Sequence, residues 1–255
     1  MFFETIHADE LFQTIMNLPE KPMPMNAQTR RGFVRAGLIG GATILTSTPL
    51  CSLAKEEPHP EEDVSPAEDL MREHGVLKRV LLIYAEAIRR LETNQELPPD
   101  TIADSARIIR DFIEDYHEKL EEDFLFPRFR KAGRLIDLVD VLNQQHQRGR
   151  ILTDVTLHTA NQQGLRNPND RRQLIDSLHQ FIRMYNPHEA REDTVLFPEF
   201  RRIVSRHEYD SLGEDFEKRE HELFGKEGFE GMVDKVARIE KKLGIYDLSQ
   251  FTPKG

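Results

Sequence analysis

Two segments of the chain repeat one pattern of histidine, glutamate, leucine, phenylalanine and proline. The first reads HEKLEEDFLFPRF from His117, and the second reads HEAREDTVLFPEF from His188. Each histidine has a glutamate four residues later, Glu121 and Glu192. On a helix such a pair shares one face, because four residues correspond to about 40° of rotation and about 6 Å of rise. Imidazole and carboxylate together suit iron, manganese, zinc or copper, so each segment is a candidate half of a metal site.

Two further histidines repeat with the same spacing. His74 lies in MREHGVL, and His146 lies in NQQHQRG. The interval from His74 to His146 equals the interval from His117 to His188 to within one position. This spacing indicates an internal duplication, in which each half supplies an equivalent set of one histidine and one His-x-x-x-Glu pair. We therefore predict a cluster of six metal ligands, which are His74, His117, Glu121, His146, His188 and Glu192.

The order of these ligands differs from two other metal motifs. Ferritin-like di-iron bundles use four glutamates and two histidines in Glu-x-x-His order, which reverses the ratio found here. Zinc proteases use His-Glu-x-x-His, and none of the four His-Glu dipeptides of the chain has that second histidine. The single cysteine, Cys51, excludes an intrachain disulfide and a cysteine-based zinc or iron–sulfur site.

Long amphipathic helices are predicted to hold the ligands. The first starts at Ser65, its N-cap, and the second, capped by Asp100, runs into the first motif. A third is predicted from about Leu135 to Thr159, and a fourth from about Asn169 into the second motif. No stretch has the two-residue alternation of a strand. We predict an all-α fold, an up-down-up-down four-helix bundle made from a duplicated helix pair, with extra C-terminal helices.

The phenylalanines and prolines of the repeat have simpler interpretations. We expect the apolar residues of both LFP triplets to lie in the core, where they could also form a dry wall beside the metals; these are Leu125, Phe126, Leu196 and Phe197. Pro127 and Pro198 are expected to bend or end their helices just past the ligands.

The chain is predicted to divide into four segments. Residues 1–54 form an N-terminal extension with an export signal, and residues 55–64 form a linker rich in proline and glutamate. Residues 65–204 form the bundle, and residues 205–255 form a helical extension packed on it.

The N-terminal extension resembles a twin-arginine export signal. Arg30 and Arg31 are followed by Phe33, a mildly apolar stretch and a small-x-small end at Ala54. We predict cleavage after Ala54 and a periplasmic location. The alternative is a weak amphipathic segment near the N-terminus.

The charge of the chain excludes some partners. Its formal net charge is −10 at pH 7, and an acidic protein repels both phosphate backbones and anionic lipid. We therefore expect no nucleic-acid partner. No apolar run has the length of a membrane span, so no integral span is expected in the mature chain.

The histidine and glutamate pattern on four helices, with LFP after each glutamate, resembles the hemerythrin-like, or HHE cation-binding, family. The resemblance covers about residues 65–204. It implies a centre of two iron ions joined by an oxo or hydroxo bridge. It also implies the assignment of the ligands: His74 and His117 to one iron, His146 and His188 to the other, and Glu121 and Glu192 as bridges.

One position departs from the hemerythrins that carry dioxygen. Those proteins have another histidine four residues after the third-helix ligand, and here that residue is Arg150. This departure argues against reversible dioxygen carriage, and we expect a position open to small ligands on both irons.

Some acidic residues beside the ligands leave alternatives open. Asp193 has the acid spacing of the dioxygen carriers, but Glu192 is the predicted ligand because Glu121 matches it in the other half. Glu118 and Glu189 are expected to support the ligands. Whether any of these acids reaches the metal is left open, as it is for a more distant histidine, His221.

Three functions are consistent with this site. The first is a periplasmic protein that binds or senses dioxygen or another small gas. The second is an oxidoreductase that handles dioxygen, peroxide or nitric oxide, or repairs iron centres, with an unidentified electron donor. The third is a structural bundle with an incidental metal. The sequence identifies no catalytic residue and does not separate the first two functions.

Overall fold

The computed structural model describes residues 64–253, and all regular structure in that part of the chain is helical. Seven helices follow one another: α1 (Pro66–Glu92), α2 (99–132), α3 (Ile136–Thr159), α4 (Gln162–Arg166), α5 (168–203), α6 (Arg206–Phe224) and α7 (Gly228–Leu243). A short 3-10 turn, Leu248–Phe251, ends the described segment. The predicted all-α class is confirmed.

Four of these helices form the predicted bundle. Helix α1 packs against α2 and α5, and α3 packs against the same two helices, so the four close into a ring. The connections at 93–98, 133–135 and 160–167 are short, which makes successive long helices run in opposite directions. The up-down-up-down arrangement places the middle of every long helix around one shared axis.

The helix starts follow local capping rules, with two differences from the sequence prediction. The Ser65 hydroxyl accepts a hydrogen bond from the Glu68 N–H at 3.4 Å, as a capping residue should. Asp100, however, is not a cap, because α2 begins one residue earlier at Pro99. The predicted break before α5 contains a short helix, α4, and Asn167 caps α5.

Helices α2 and α5 contain matching π-helical turns at the repeated motif. These turns are Glu121–Leu125 and Glu192–Leu196, and in each the next N–H bonds to the glutamate carbonyl five residues back. Pro127 and Pro198 follow immediately, yet both helices continue. Of the two expected effects, bending or ending the helix, the prolines do not cause the second, because the wider π turn accommodates a residue that cannot donate to the preceding turn.

The C-terminal helices cover one face of the bundle. Helix α7 packs on α1 and α2, and α6 packs on α1 and α7. The Arg79 guanidinium donates to the Glu240 carboxylate at 3.0 and 2.5 Å, and the Tyr116 ring meets the Phe224 ring at 5.4 Å. Full burial of a large apolar side chain contributes roughly 1.5–3 kcal/mol, so the buried aromatic and aliphatic residues of α6 and α7 help to hold these helices on the bundle.

The N-terminal predictions lie outside the described residues. They include the export signal in residues 1–54 and almost all of the linker at 55–64, so the division into four segments stays a prediction. Between residues 64 and 253, no helix combines the length and the apolarity that crossing a membrane requires.

Candidate metal centre

The six predicted ligands converge in the middle of the bundle. Helices α1 and α3 contribute one histidine each, and α2 and α5 contribute one histidine and one glutamate each. Every one of the six is 4% exposed or less. The convergence follows from the fold, because four antiparallel helices of similar length bring their midpoints to the same level.

The ligands form two sets of three. One set is His74, His117 and Glu121, and the other is His146, His188 and Glu192. Within each set, one ligand atom of each residue lies within 4.8 Å of those of the other two. The imidazole centroids are 4.7 Å apart in the first set and 5.1 Å apart in the second.

Each glutamate also connects the two sets. The Glu192 carboxylate lies 3.3 Å from His74 Nε2 through Oε2 and 3.1 Å from His188 Nε2 through Oε1. Glu121 Oε2 lies 3.4 Å from His146 Nε2 and 3.8 Å from His117 Nε2. Each carboxylate therefore faces one histidine of each set, as a carboxylate that bridges two metals must.

The residues fit a bound cation. Both carboxylate oxygens of Glu121 and Glu192, and Nε2 of His146, are buried without a hydrogen-bond partner among residues 64–253. Buried charged oxygens without partners are costly, and bound metal would provide partners for them. Four imidazoles and two carboxylates, with no thiolate, match the ligand preferences of first-row transition metals.

The outer nitrogens of the histidines are all held by acceptors. The Nδ1 contacts are Asp193 to His74 at 2.7 Å, Glu73 to His117 at 2.6 Å, Glu122 to His146 at 3.1 Å, and Gln145 to His188 at 2.8 Å. With the proton on Nδ1, each Nε2 turns its lone pair toward the centre. The imidazoles are thus oriented as metal ligands by the protein itself.

Comparison with known proteins agrees with this geometry. Residues 65–163 and again residues 137–243 match the hemerythrin HHE cation binding domain. The chain belongs to this family. The two matches confirm the resemblance, and the cation-binding role of the family agrees with the buried His and Glu clusters.

This hemerythrin-family chain also has relatives that match it along most of its length. It is 50% identical over 220 residues, 86% of each chain, to a Mycobacterium tuberculosis protein named "Uncharacterized protein Rv1995". The same values hold for "Uncharacterized protein Mb2018" of Mycobacterium bovis. No solved structure matches the chain.

The charges of the hemerythrin-type site are strongly coupled. Burial alone would lower the pKa of His74, but the hydrogen bond to Asp193 and the negative charge of Glu192 raise it to about 10. Burial and the charge of Glu192 raise the pKa of Glu121 to about 7. Burial would also raise the pKa of Glu192, yet the His188 and His74 imidazoles hold it well below its usual range. The ligands therefore share protons, which a metal must displace when it binds.

The Nδ1 acceptors are the part of the site that sequence reasoning missed. Glu73 and Gln145 each precede the first histidine of their half, and Glu122 and Asp193 each follow the glutamate that connects the two sets. This repetition was the signal that could have identified them. Asp193, considered above as an alternative ligand, instead bonds to the outer nitrogen of His74.

Two cations occupy equivalent places beside the centre. Lys78 lies four residues after His74, and Arg150 lies four residues after His146. The Arg150 guanidinium is 2.8 Å from both Glu118 and Glu122. Lys78 pairs with the buried Glu189 at 2.5 Å. Glu118 and Glu189 thus support these cations, and neither belongs to a set with two histidines.

A buried tyrosine completes the surroundings of Arg150. The Tyr185 hydroxyl donates to Glu118 at 2.6 Å, and its ring lies 5.2 Å from that of His188. The hydroxyl passes directly over Gly149 of α3, where a Cβ atom would overlap it. Glycine at this position is what allows the contact between Tyr185 and Glu118.

The phenylalanines of the two LFP triplets cover the centre. Phe126 stacks on His146 at 5.5 Å, and Phe197 stacks on His74 at 5.6 Å. Leu125 and Leu196 are fully buried beside them. The expected core position of these four residues is confirmed, and both phenylalanine rings contact a ligand histidine.

The other described histidines lie away from the centre. They are exposed to solvent and are His158, His179, His207 and His221. His221 lines a surface cavity between α1, α6 and α7 and does not join the ligand sets.

Proposed function

We propose that this hemerythrin-family chain is a non-haem di-iron protein that binds or reacts with dioxygen or a related small molecule, such as peroxide or nitric oxide. The observation that supports it best is the pair of His-His-Glu sets connected through Glu121 and Glu192. Two imidazoles per set, with both carboxylates shared, serve two metal ions and would over-serve one.

Bound iron would supply electron transfer and exchange of small ligands at this site. The protein would orient the ligand imidazoles and exclude water from the centre. Its Nδ1 acceptors keep each imidazole turned inward, and Phe126 and Phe197 exclude water on two sides. Burial of all six ligands favours small molecules over large substrates.

The two flanking cations support reaction over reversible carriage. Lys78 and Arg150 each stand one helical turn beyond a histidine ligand, where a further imidazole could have reached the metal. As cations engaged with Glu189 and Glu118, they are poor metal ligands. Neither half therefore supplies a fifth imidazole, and a bound iron would remain accessible to an external molecule at that place. A redox enzyme of this kind would need an electron donor, whose identity is open.

Metal content and an optical spectrum test this proposal. Protein loaded anaerobically with ferrous iron should retain close to two irons per chain after desalting. Zinc alone, or a single metal per chain after full loading, would exclude the di-iron centre. Air should convert the reduced spectrum to the oxidised one, and removal of dioxygen should not restore it. A reversible spectrum would establish carriage, and azide should shift the spectrum of the oxidised form.

Two variants at Arg150 separate the effect of losing its charge from the effect of gaining a metal ligand. Arg150→His should add an imidazole on the face of His146 and slow oxidation in air. Arg150→Gln removes the same cation without adding a ligand and is the matched control. Equal oxidation rates in the two variants would show that the position does not reach the metal.

We also propose the periplasm as the location of the mature chain. The support is the Arg30-Arg31 leader, which lies outside the described residues. Replacing both arginines by lysine keeps the charge and should block export, and the exported protein should begin at Lys55. Normal export of the double-lysine variant would overturn this location.

A further inference from the structure

A second carboxylate cluster lies next to the metal centre, between α1 and α6. One oxygen each of Asp69, Glu73 and Glu220 lies within 4.8 Å of one oxygen of the other two. Asp69 and Glu73 share a face of α1 because they are four residues apart. Asp69 and Glu220 line a surface cavity of about 420 Å³, so the cluster has contact with solvent on one side.

Glu73 is the buried member of this cluster. It is 0% exposed, and its Oε2 is bonded to His117 Nδ1 at 2.6 Å. Its Oε1 is buried and accepts no hydrogen bond from residues 64–253. The Tyr116 hydroxyl lies beside Glu73 and is 3.5 Å from the main-chain oxygen of Phe216. Within residues 64–253 this buried oxygen has no direct hydrogen-bond partner, and two further carboxylates lie close to the same side chain, which indicates a place for a cation.

Glu220 is held in position by the start of α7. Its Oε1 accepts a hydrogen bond from the Phe229 N–H at 2.8 Å. Gly228 permits this approach, because a Cβ atom there would overlap the Glu220 carboxylate. The carboxylate is therefore fixed by the packing of α6 on α7, as a preformed ligand would be.

Arg72, one of the basic residues around the cavity, does not neutralise the cluster by itself. Arg72 lies 3.8 Å from Asp69, but its guanidinium also pairs with Glu230 at 3.4 Å and lies over the Phe229 ring. Burial, and after it the charge of Glu220, raises the pKa of Asp69 to about 6, whereas Arg72 lowers it. An all-oxygen set suits hard divalent cations such as Mg²⁺ and Mn²⁺, in contrast to the imidazole-rich centre.

We propose that Asp69, Glu73 and Glu220 form a third cation site, which takes a hard divalent cation and shares Glu73 with the metal centre through His117. The proposal depends on the carboxylates alone. It holds whichever metal the histidines bind.

Manganese binding to the full chain tests the site. The histidine centre is first loaded with iron, excess metal is removed, and the iron content is measured before and after addition of Mn²⁺. Bound Mn²⁺ is counted from the loss of the electron paramagnetic resonance signal of the free ion. We expect one additional Mn²⁺ per chain without release of iron. Asp69→Asn/Glu220→Gln should weaken its binding by at least roughly tenfold and leave the iron content unchanged.

A matched double variant controls for net charge. Glu214→Gln/Glu222→Gln removes the same two charges from exposed positions of α6 and should bind Mn²⁺ as the parent does. The third site is overturned if the parent takes up no Mn²⁺ beyond its iron, if uptake matches iron release, or if both double variants weaken binding equally. Failure to hold iron at the histidines would instead count against the proposed function. It would not affect the third site, because the effect of the Asp69 and Glu220 substitutions on Mn²⁺ binding is measured separately.

Discussion

The two helix pairs of the bundle supply the same metal ligands but support them with different chemistry. In the first pair His117 donates to the carboxylate of Glu73, whereas in the second pair His188 donates to the amide of Gln145. A carboxylate makes the imidazole a more electron-rich ligand than a neutral amide does. The sets are equivalent in their ligands and unequal in their electronic support, so the two metal positions should differ in affinity.

The flanking cations differ between the pairs as well. Arg150 is largely buried and balances two carboxylates, Glu118 and Glu122. Lys78 is half exposed and has one partner, Glu189. The two halves thus share the geometry of the six ligands and differ in the residues that contact those ligands or flank them.

The largest expected effect comes from the residues that the two sets share. Glu192→Ala should reduce iron from about two per chain toward zero, because this carboxylate faces a histidine of each set. His188→Ala should leave about one iron, because it removes a ligand from one set only. Elemental analysis after identical loading measures both. Equal losses would mean that the sets do not bind metal separately.

The second effect concerns the inequality of the sets. Under a competing chelator the parent should release its metals in two steps, with affinities that differ by roughly tenfold. Gln145→Glu should merge them into one step, since both sets would then have only carboxylate acceptors. Gln144→Glu adds the same charge at an exposed neighbouring position and should keep two steps. Single-step release from the parent would contradict the comparison.

The third effect is a difference in how much each flanking cation contributes to the stability of the fold. Arg150→Met should lower the unfolding free energy of the metal-free protein by about 3 kcal/mol, because it leaves Glu118 buried without its cation. Lys78→Met should cost about 1 kcal/mol, because Lys78 is half exposed and water replaces much of its interaction. Urea unfolding compares them, and a larger cost at Lys78 would refute the assignment.

The smallest effect is a difference in pH dependence. Glu114 of the first pair occupies the position that Tyr185 holds in the second pair, three residues before the motif histidine in each. Burial and the charge of Glu118 raise the pKa of Glu114 to about 7 from an ordinary value of 4.5. The folded state therefore holds this proton more tightly than the unfolded state, and stability falls as pH rises from 4.5 to 7.

Replacing Glu114 by glutamine should remove this contribution. Glu114→Gln keeps an acceptor for Thr153 and cannot ionise, so the unfolding free energy should depend less on pH across that interval. Urea unfolding at a series of pH values measures the difference. Parallel curves for parent and variant would show that Glu114 does not titrate in this range.

The ligands could be predicted from the sequence because two constraints act on them together. Histidine and glutamate four residues apart share a helix face, and the nearly constant spacing of the repeat shows that both helix pairs use the same positions. The four long helices could be predicted as well, because these ligands and the apolar residues around them have helical spacing. Their ends were less certain at Asp100, because a proline one residue earlier can itself start a helix.

The outer acceptors could not be recognised in the same way. Glu73 and Gln145 are ordinary surface residue types, and only the rotation of α1 and α3 within the bundle turns them toward a histidine of the next helix. The π turns were also missed. Their backbone angles are close to those of an α-helix, and no single residue type requires them.

The three residues at 133–135 that connect α2 to α3 also join the two copies of the helix pair. If the copies were separate and associated as a symmetric dimer, every substitution would appear twice, and both metals would always have identical surroundings. Fusion into one polypeptide removes that symmetry. A single mutation can then change the surroundings of one metal and leave those of the other unchanged. Such a difference is already present, because one copy has Glu73 at the position where the other copy has Gln145.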